Sequence, residues 1–133
     1  MKMNPVVHFQ VPVAEMARAQ KFYERVFGWK INVIPEMKGQ YHVAVTTPAN
    51  EMGRPTTPGA INGALSVRAP KTEPKGHAWL VIAVDSIDEH VKKIKAAGGK
   101  LLQEKAPVMD MGFYAEVTDT EGNAVGLWEL AKK

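Results

Sequence analysis

The sequence contains one long segment twice, and this repeat limits the folds open to the chain. A shift of 71 positions places residues 6–31 on residues 77–102 without a gap. Both copies have an alternating run, a polar break, a run with helical spacing and a glycine, which is Gly28 in the first copy and Gly99 in the second. A period this long that occurs only twice indicates two halves of one domain and not a stacked array.

The patterns inside the repeat predict the same elements in each half. Residues 6–13 alternate between apolar and polar as a strand does, and the apolar spacing before Gly28 is that of an amphipathic helix. In the second half a strand precedes Ser86, which with Glu89 has the spacing of a helix capping box. Further strands are predicted over residues 29–36, 41–46 and 60–67 and over 100–105, 113–118 and 124–130. Each half is therefore predicted to be strand, helix and three strands.

Length and composition predict a single domain. The 133 residues are enough for one ordinary core, but neither half is large enough to fold alone. The polar segment 69–76, which holds two prolines, separates module one (6–68) from module two (77–130) within one domain over 1–133. Residues 48–59, rich in glycine and proline, are predicted to be a loop that serves a site.

Charge and residue usage exclude several classes of partner. The formal charge of +3 comes from scattered lysines and arginines, so no nucleic-acid partner is predicted. The absence of cysteine excludes disulfides, thiolate metal sites and a cysteine nucleophile. No apolar run approaches the roughly 18 residues of a membrane span, and the first residues lack a signal-peptide core. The expectation is a cytoplasmic protein with no membrane partner.

One face of the predicted sheet carries most of the chemically useful side chains. Histidines, aromatic residues and glycines on the face opposite the apolar stripes suit a small-molecule cleft with flat walls and few polar groups. Each also has a plain structural explanation, such as a hydrogen-bonded histidine, a tryptophan that fills space or a solvated glutamate. His8 and Glu116 are the candidates for proton transfer. The predicted ligand-binding residues are Gln10, His42, Gly63, His77, Trp79, Tyr114, Gly126 and Trp128.

Two motifs give the chain a family resemblance. The segment HFxVPVxxMxRAxxFYxxVFGW, from His8, and the ending VTDxEGNxVGLWE, from Val117, resemble the vicinal oxygen chelate superfamily. That superfamily includes glyoxalase I, extradiol dioxygenases, methylmalonyl-CoA epimerase, and fosfomycin and bleomycin resistance proteins. The resemblance implies an α+β fold in which two βαβββ modules form a cupped, eight-stranded mixed sheet with helices on the outer face. It also implies a homodimer.

The resemblance implies four positions for metal ligands, on the first and last strand of each module. On this sequence they fall at His8, Gly63, Trp79 and Gly126. Only His8 offers a lone pair to a divalent cation. We therefore predict no metal ligand and no cofactor. Glu129, three residues after Gly126, is predicted to lie on the opposite face as a solvated charge.

Three functions fit these observations. The first is a glyoxalase-like, metal-independent protein that binds a small planar or aromatic organic ligand between Trp79 and Trp128, with His8 as the base if it is an enzyme. The alternative is a metal-dependent lyase, isomerase or dioxygenase of the same superfamily. Its divalent metal ion would sit in a rearranged site built from His8, His42, His77 and Glu116. The third is a regulatory or scaffold module with an empty cleft. The sequence does not decide whether the protein is an enzyme.

Overall fold

The computed structural model describes residues 2–67 and 77–132. The chain divides into two compact units. The first unit comprises residues 8–78, and the second comprises residues up to Val7 together with those from Trp79 onward. Each unit contains one copy of the repeat helix. The predicted linker, residues 69–76, lies outside the described residues.

The first unit is a four-stranded mixed sheet with one α-helix. Its strands lie in the order β2-β3-β4-β1, and β1 is parallel to β4 while the other pairs are antiparallel. The short β2 is followed by a turn of 3-10 helix, where the sequence pattern had predicted a longer strand. The elements are β1 (Val6–Val13), α1 (Met16–Phe27), β2 (Lys30–Val33), β3 (Tyr41–Val45) and β4 (Gly63–Val67).

The second unit repeats this arrangement. Its strands lie in the order β5-β8-β7-β6, again with the first and last strands of the unit parallel. Register shifts bend β6, which is longer than predicted. The elements are β5 (Trp79–Ala83), α2 (Ile87–Ala96), β6 (Lys100–Val108), β7 (Gly112–Thr118) and β8 (Ala124–Leu130).

The predicted fold class is confirmed. Within residues 2–67 and 77–132, eight strands of mixed sheet and two α-helices make the fold α+β, and the order strand, helix, three strands occurs in both units. No helix in the described part of the chain is long and apolar enough to cross a membrane.

Helix α1 ends where the sequence predicts but buries less of its apolar stripe than expected. Gly28 adopts a left-handed conformation with φ of 71°, and its amide donates to the carbonyls of Tyr23 and Glu24. Only glycine enters this region without strain, so the helix stops there. Met16, Ala19 and Tyr23 pack on the core of the first unit. Three other apolar residues of the helix, Phe22, Val26 and Phe27, are each more than half exposed.

The amino terminus of helix α2 is satisfied by two side chains. Ser86 is the N-cap, as predicted, and its hydroxyl accepts from the amide of Glu89 at 3.2 Å. The amide of Ile87 donates to the Glu129 carboxylate at 2.7 Å. Glu129 does lie on the core face, but its description as a solvated charge was wrong. Glu129 is only 8% exposed. Its buried carboxylate is stabilised by the partial positive charge at the start of the helix.

A basic residue from the neighbouring edge strand completes this network. Lys105 lies with its Nζ 3.6 Å from Glu129 and 3.2 Å from Asp88, and 4.6 Å from the centre of the Phe113 ring. The hydrogen bond to Asp88 is the main reason that the pKa of Lys105 is raised. Strands β6 and β8 are thereby both joined to the start of helix α2.

Each unit has its own hydrophobic core on the helix side of its sheet. In the first unit the buried residues are Val13, Ile31, Ala44 and Leu65, which have Phe9, Tyr23 and Trp29 around them. In the second unit they are Val84, Ile87, Ala115, Val117 and Leu127. Burial of these side chains leaves the opposite face of each sheet to carry other chemistry.

Replacing Glu129 by alanine should destabilise the second unit. The amide of Ile87, a residue with no exposed surface, would lose its acceptor, and an unsatisfied buried donor costs about 1–3 kcal/mol. Glu129→Gln keeps an acceptor and should lose less. Urea unfolding at pH 7 measures the free energies of unfolding of both variants.

The matched control is Glu104→Ala, on the exposed part of β6, which should change the free energy of unfolding by less than about 0.5 kcal/mol. Equal stability of Glu129→Ala and the parent protein would contradict the capping role.

Candidate functional site

In the first unit, His8 lies on the sheet face opposite the core, as predicted. Residues paired across strands share a face, and the pairing of Gln10 with Ala64 and of Val43 with Ala64 places His8 and Gln10 opposite the helix. The side-chain oxygen of Gln10 lies 3.0 Å from Nε2 of His8. It accepts from His8 in the tautomer that carries the proton on that nitrogen, which leaves Nδ1 as the basic atom.

Tyr41 is a third member of this group, and the sequence analysis missed it. Its hydroxyl lies 3.3 Å from Nε2 of His8. Burial raises the pKa of Tyr41 to about 12, so the phenol stays protonated. Burial also lowers the pKa of His8 below its ordinary value of 6.5, against a smaller opposite effect of the Gln10 hydrogen bond. His8 is therefore a neutral imidazole at pH 7, which is the form that accepts a proton.

The placement of His42 on the same face as His8 was wrong. His42 pairs with Leu65, and Leu65 pairs with Val11, so all three point toward the helix. His42 is 8% exposed, and its Nδ1 has no hydrogen-bond partner in the described part of the chain. Strand β3 carries apolar residues on both faces, so its alternation alone could not fix which face is buried.

Gly63 also lies on the helix face, which corrects a second prediction. It pairs with Ala44, a core residue. A Cβ built on Gly63 would lie 2.6 Å from the Phe9 ring, which fills the space next to the backbone. The room at this glycine is therefore taken by a side chain of the protein.

In the second unit, five of the predicted residues do share the face opposite the core. Tyr114 pairs with Trp128 and Glu116 with Gly126, while Val81 pairs with Gly126 and places Trp79 on the same side. Their neighbours along each strand, such as Ala115 and Leu127, are in the core. The alternating pattern was decisive on β7, because its face with Phe113, Ala115 and Val117 is wholly apolar.

A chain of hydrogen bonds links three of these side chains. The indole Nε1 of Trp79 donates to the hydroxyl of Tyr114 at 2.9 Å, and that hydroxyl donates to the Glu116 carboxylate at 3.0 Å. Trp79 is 5% exposed and Glu116 is 4% exposed. The structural explanation of Glu116 as a solvated charge is thus wrong, because the carboxylate is buried beside the phenol.

Aromatic rings pack directly against two glycines of the second unit. A Cβ on Gly126 would lie 2.6 Å from the Tyr114 hydroxyl, and one on Gly112 would lie 2.8 Å from the Trp128 ring. The space that the sequence assigned to a ligand at Gly126 therefore holds the Tyr114 ring. Trp79 is hydrogen-bonded to that ring and largely covered, so it does not present a free stacking face.

His77 stands apart from these groups. It lies in coil before β5 and is exposed. In the described residues it makes no part of a strand, so its predicted position on the sheet face was wrong.

The donor set does not fit the divalent cation that the superfamily resemblance implies. Of the four positions, only His8 has a donor, and the two glycine positions face the rings of Phe9 and Tyr114. The rearranged set is not assembled either, since His8 and His42 lie on opposite faces of their sheet. Across residues 2–67 and 77–132, no three His, Asp or Glu side chains are grouped closely enough to hold a metal ion.

Comparison with known proteins identifies relatives in sequence. A "Glyoxylase-like domain-containing protein" of Didymella fabae is 32% identical over 119 residues, which cover 86% of this chain and 84% of that protein. The "Putative glyoxylase CFP32" of Mycobacterium tuberculosis is also 32% identical over 119 residues. The match covers 86% of this chain but only 41% of the length of the mycobacterial protein.

Solved structures share the fold at lower sequence identity. Hypothetical protein BH1468 from Bacillus halodurans has a TM-score of 0.63 at 17% identity, with 99% of this chain and 98% of that chain covered. Streptomyces coelicolor methylmalonyl-CoA epimerase in complex with 2-nitronate-propionyl-CoA has a TM-score of 0.63 at 14% identity, with 98% and 100% covered. These similarities concern the fold alone.

A family model decides the assignment. Residues 6–127, which include both copies of the repeat and the aromatic residues Trp79 and Tyr114, match the model of one superfamily. The chain belongs to the Glyoxalase/Bleomycin resistance protein/Dioxygenase superfamily.

Proposed function

We propose that the chain is a glyoxalase-like protein that binds a small planar or aromatic organic molecule without a metal ion. The binding surface is the face of the second-unit sheet opposite the core, which we call the open face. The observation that carries this proposal is the hydrogen-bonded series Trp79, Tyr114 and Glu116. Two hydrogen bonds hold the Tyr114 hydroxyl in place. A fixed aromatic ring is a better binding surface than a mobile one, because less conformational entropy is lost when a ligand arrives.

The ligand-contacting surfaces are the rings of Tyr114 and Trp128. Both rings rest on glycine backbone, at Gly126 and Gly112, and both side chains are partly exposed. Stacked or edge-to-face aromatic contacts contribute about 0.5–1.5 kcal/mol beyond the burial of apolar area. Trp79 acts as a positioning residue, because it holds Tyr114 and is itself covered. This revises the expectation that a ligand lies between the two tryptophans.

The chemistry of the site favours an uncharged ligand. Glu116 is the one carboxylate in this group, and it accepts from Tyr114. A cation would have to compete with the Tyr114 hydroxyl for that carboxylate, and an anion would be repelled by the carboxylate. A flat neutral molecule gains the aromatic contacts without either cost.

We also propose His8 as the base of any reaction that the protein catalyses. The support comes from the first unit alone. The imidazole is half-buried, its Nε2 lies within hydrogen-bond distance of Gln10 and Tyr41, and burial keeps it neutral at pH 7. A base that is neutral near the working pH can take a proton from a carbon or oxygen acid of the substrate.

Replacing Trp128 by alanine should weaken binding of planar aromatics. In a thermal-shift screen with neutral compounds such as 2-naphthol, quinoline and coumarin at 1 mM, we expect at least one to raise the melting temperature of the parent protein, because a ligand that binds only the folded state stabilises it. We expect the shift to be reduced in Trp128→Ala and largely kept in Tyr114→Phe, which retains the ring.

The control is Phe22→Ala, an exposed aromatic on helix α1 that should leave the shift unchanged. Two results would contradict the proposal: no shift with any planar compound, or one equivalent of zinc, nickel, manganese or iron per chain in protein purified without an affinity tag.

The stability of the protein should depend on the protonation of His8. The folded-state pKa lies below the unfolded value of 6.5, so the unfolded chain binds more protons as the pH falls past that value. The contribution of His8 to the free energy of unfolding is therefore complete above about pH 6.5 and is reduced below it. Urea unfolding between pH 5 and pH 8 should show a shallower decline on acidification in His8→Gln than in the parent protein.

His77→Gln is the matched control, because His77 is exposed, and its pH dependence should follow that of the parent protein. An NMR titration that gives His8 a pKa at or above 6.5 would contradict the lowering of its pKa by burial.

A further inference from the structure

We propose that the second unit has a second binding site, for a small, flat, uncharged apolar molecule, in a cavity between helix α2 and the sheet. The cavity has a volume of about 710 Å³. It lies on the core side of the sheet, so it is separated by the sheet from the Tyr114 and Trp128 rings. Ligand cavities commonly measure about 300–1,000 Å³.

The walls of the cavity are mostly apolar. Its floor is the core face of the sheet, with Ile82, Val117 and Val125, and helix α2 contributes Ile94 and Ala97. Residues 2–4 border it on the side of the amino-terminal segment. That segment is held in place, since the amide of Ala83 donates to the carbonyl of Pro5 at 3.0 Å.

The internal repeat explains why there is space here. With the shift of 71 positions, Tyr23, Val26, Phe27 and Trp29 of the first copy correspond to Ile94, Ala97, Gly98 and Lys100 of the second. In the first unit the rings of Tyr23 and Trp29 stack at 4.6 Å with an angle of 10° between their planes. The second copy has no aromatic ring at any of these positions.

The comparison also indicates the shape of the occupant. At the corresponding place in the first unit, the helix and sheet are bridged by flat stacked rings that belong to the core. The second unit keeps the strands and the helix but lacks those rings. A flat aromatic molecule is therefore the occupant that restores the packing, because an unfilled apolar void loses dispersion contacts along its whole surface.

The charged and polar groups at the rim already have partners within the protein. Lys2 forms an ion pair with Asp85 at 2.9 Å, and Asp119 accepts from the amides of Glu121 and Asn123. His90 lies 3.0 Å from the carbonyl of Ser86 and 3.2 Å from the side-chain oxygen of Asn4. A charged ligand would have to break these contacts, so the site favours an uncharged molecule.

The test uses 1-aminoanthracene, a flat fluorophore that is uncharged at pH 7, with the full chain. We expect a saturable increase in fluorescence that is kept in Trp128→Ala, where the open-face site is removed and one probe binds per chain. Ala97→Phe places a ring inside the cavity and should weaken binding at least tenfold. Ala96→Phe, one position away on the exposed surface of the same helix, is the matched control and should bind within twofold of the parent protein.

Methyl NMR of the parent protein locates the probe independently of any variant. Shifts centred on the methyl groups of Ile94, Val117 and Val125 support the proposal. A failure of the probe to bind, equal binding by the two phenylalanine variants, or shifts at the Trp128 indole with none at Val125 would overturn it. The last result would place the probe at the open face instead, so the outcome for this cavity is separate from that for the proposed function.

Discussion

Contact between an aromatic ring and a glycine backbone determines what each sheet can offer to a ligand. Phe9 covers Gly63 on the core side of the first unit, and Tyr114 covers Gly126 on the open side of the second. Any other L-residue at either glycine would push the ring away, since its Cβ would come within 2.6 Å of ring or hydroxyl atoms. At both positions, the lack of a side chain on the glycine is what leaves room for the ring. On the open face of the second unit, the Tyr114 ring occupies the place at Gly126 where a side-chain donor for a cation is missing.

Much of the second unit could be predicted from the sequence, and less of the first. Strand β7 has one wholly apolar face, with Phe113, Ala115 and Val117, so alternation alone assigns its side chains to their sides. Strand β8 follows from its pairing with β7, because Glu129 interrupts its core face. Strand β3 offers Tyr41 and Val43 on one side and His42 and Ala44 on the other, and only pairing with β4 decides which side meets the helix. The hydrogen bond that buries Glu129 spans 42 positions of the chain, and no local pattern reports a contact of that range.

Membership of the superfamily establishes the fold and leaves the chemistry to the individual residues, because one scaffold can host many reactions and simple binding. The relatives reflect this. The fungal relative has nearly the length of this chain, whereas the chain spans 41% of the mycobacterial proteins that it matches, which therefore contain much sequence without a counterpart here. Residues such as His8 and Tyr114 have to be assessed from their own surroundings. One is a neutral imidazole held by an amide, and the other is a phenol held between an indole and a carboxylate.

The contact between Glu129 and the start of helix α2 also has a consequence for the order in which the chain can mature during synthesis. The amino end of that helix leaves the ribosome more than forty residues before the carboxylate that receives its amide. Strand β5 is made equally long before its parallel neighbour β8, while the segment before Val6, whose Pro5 carbonyl accepts from the amide of Ala83, is made before either strand. The first unit can close β1 against β4 while translation continues, but the second unit needs both the segment before Val6 and strand β8. Helix α2 and strand β5 must therefore remain incompletely bonded on the nascent chain until β8 has emerged.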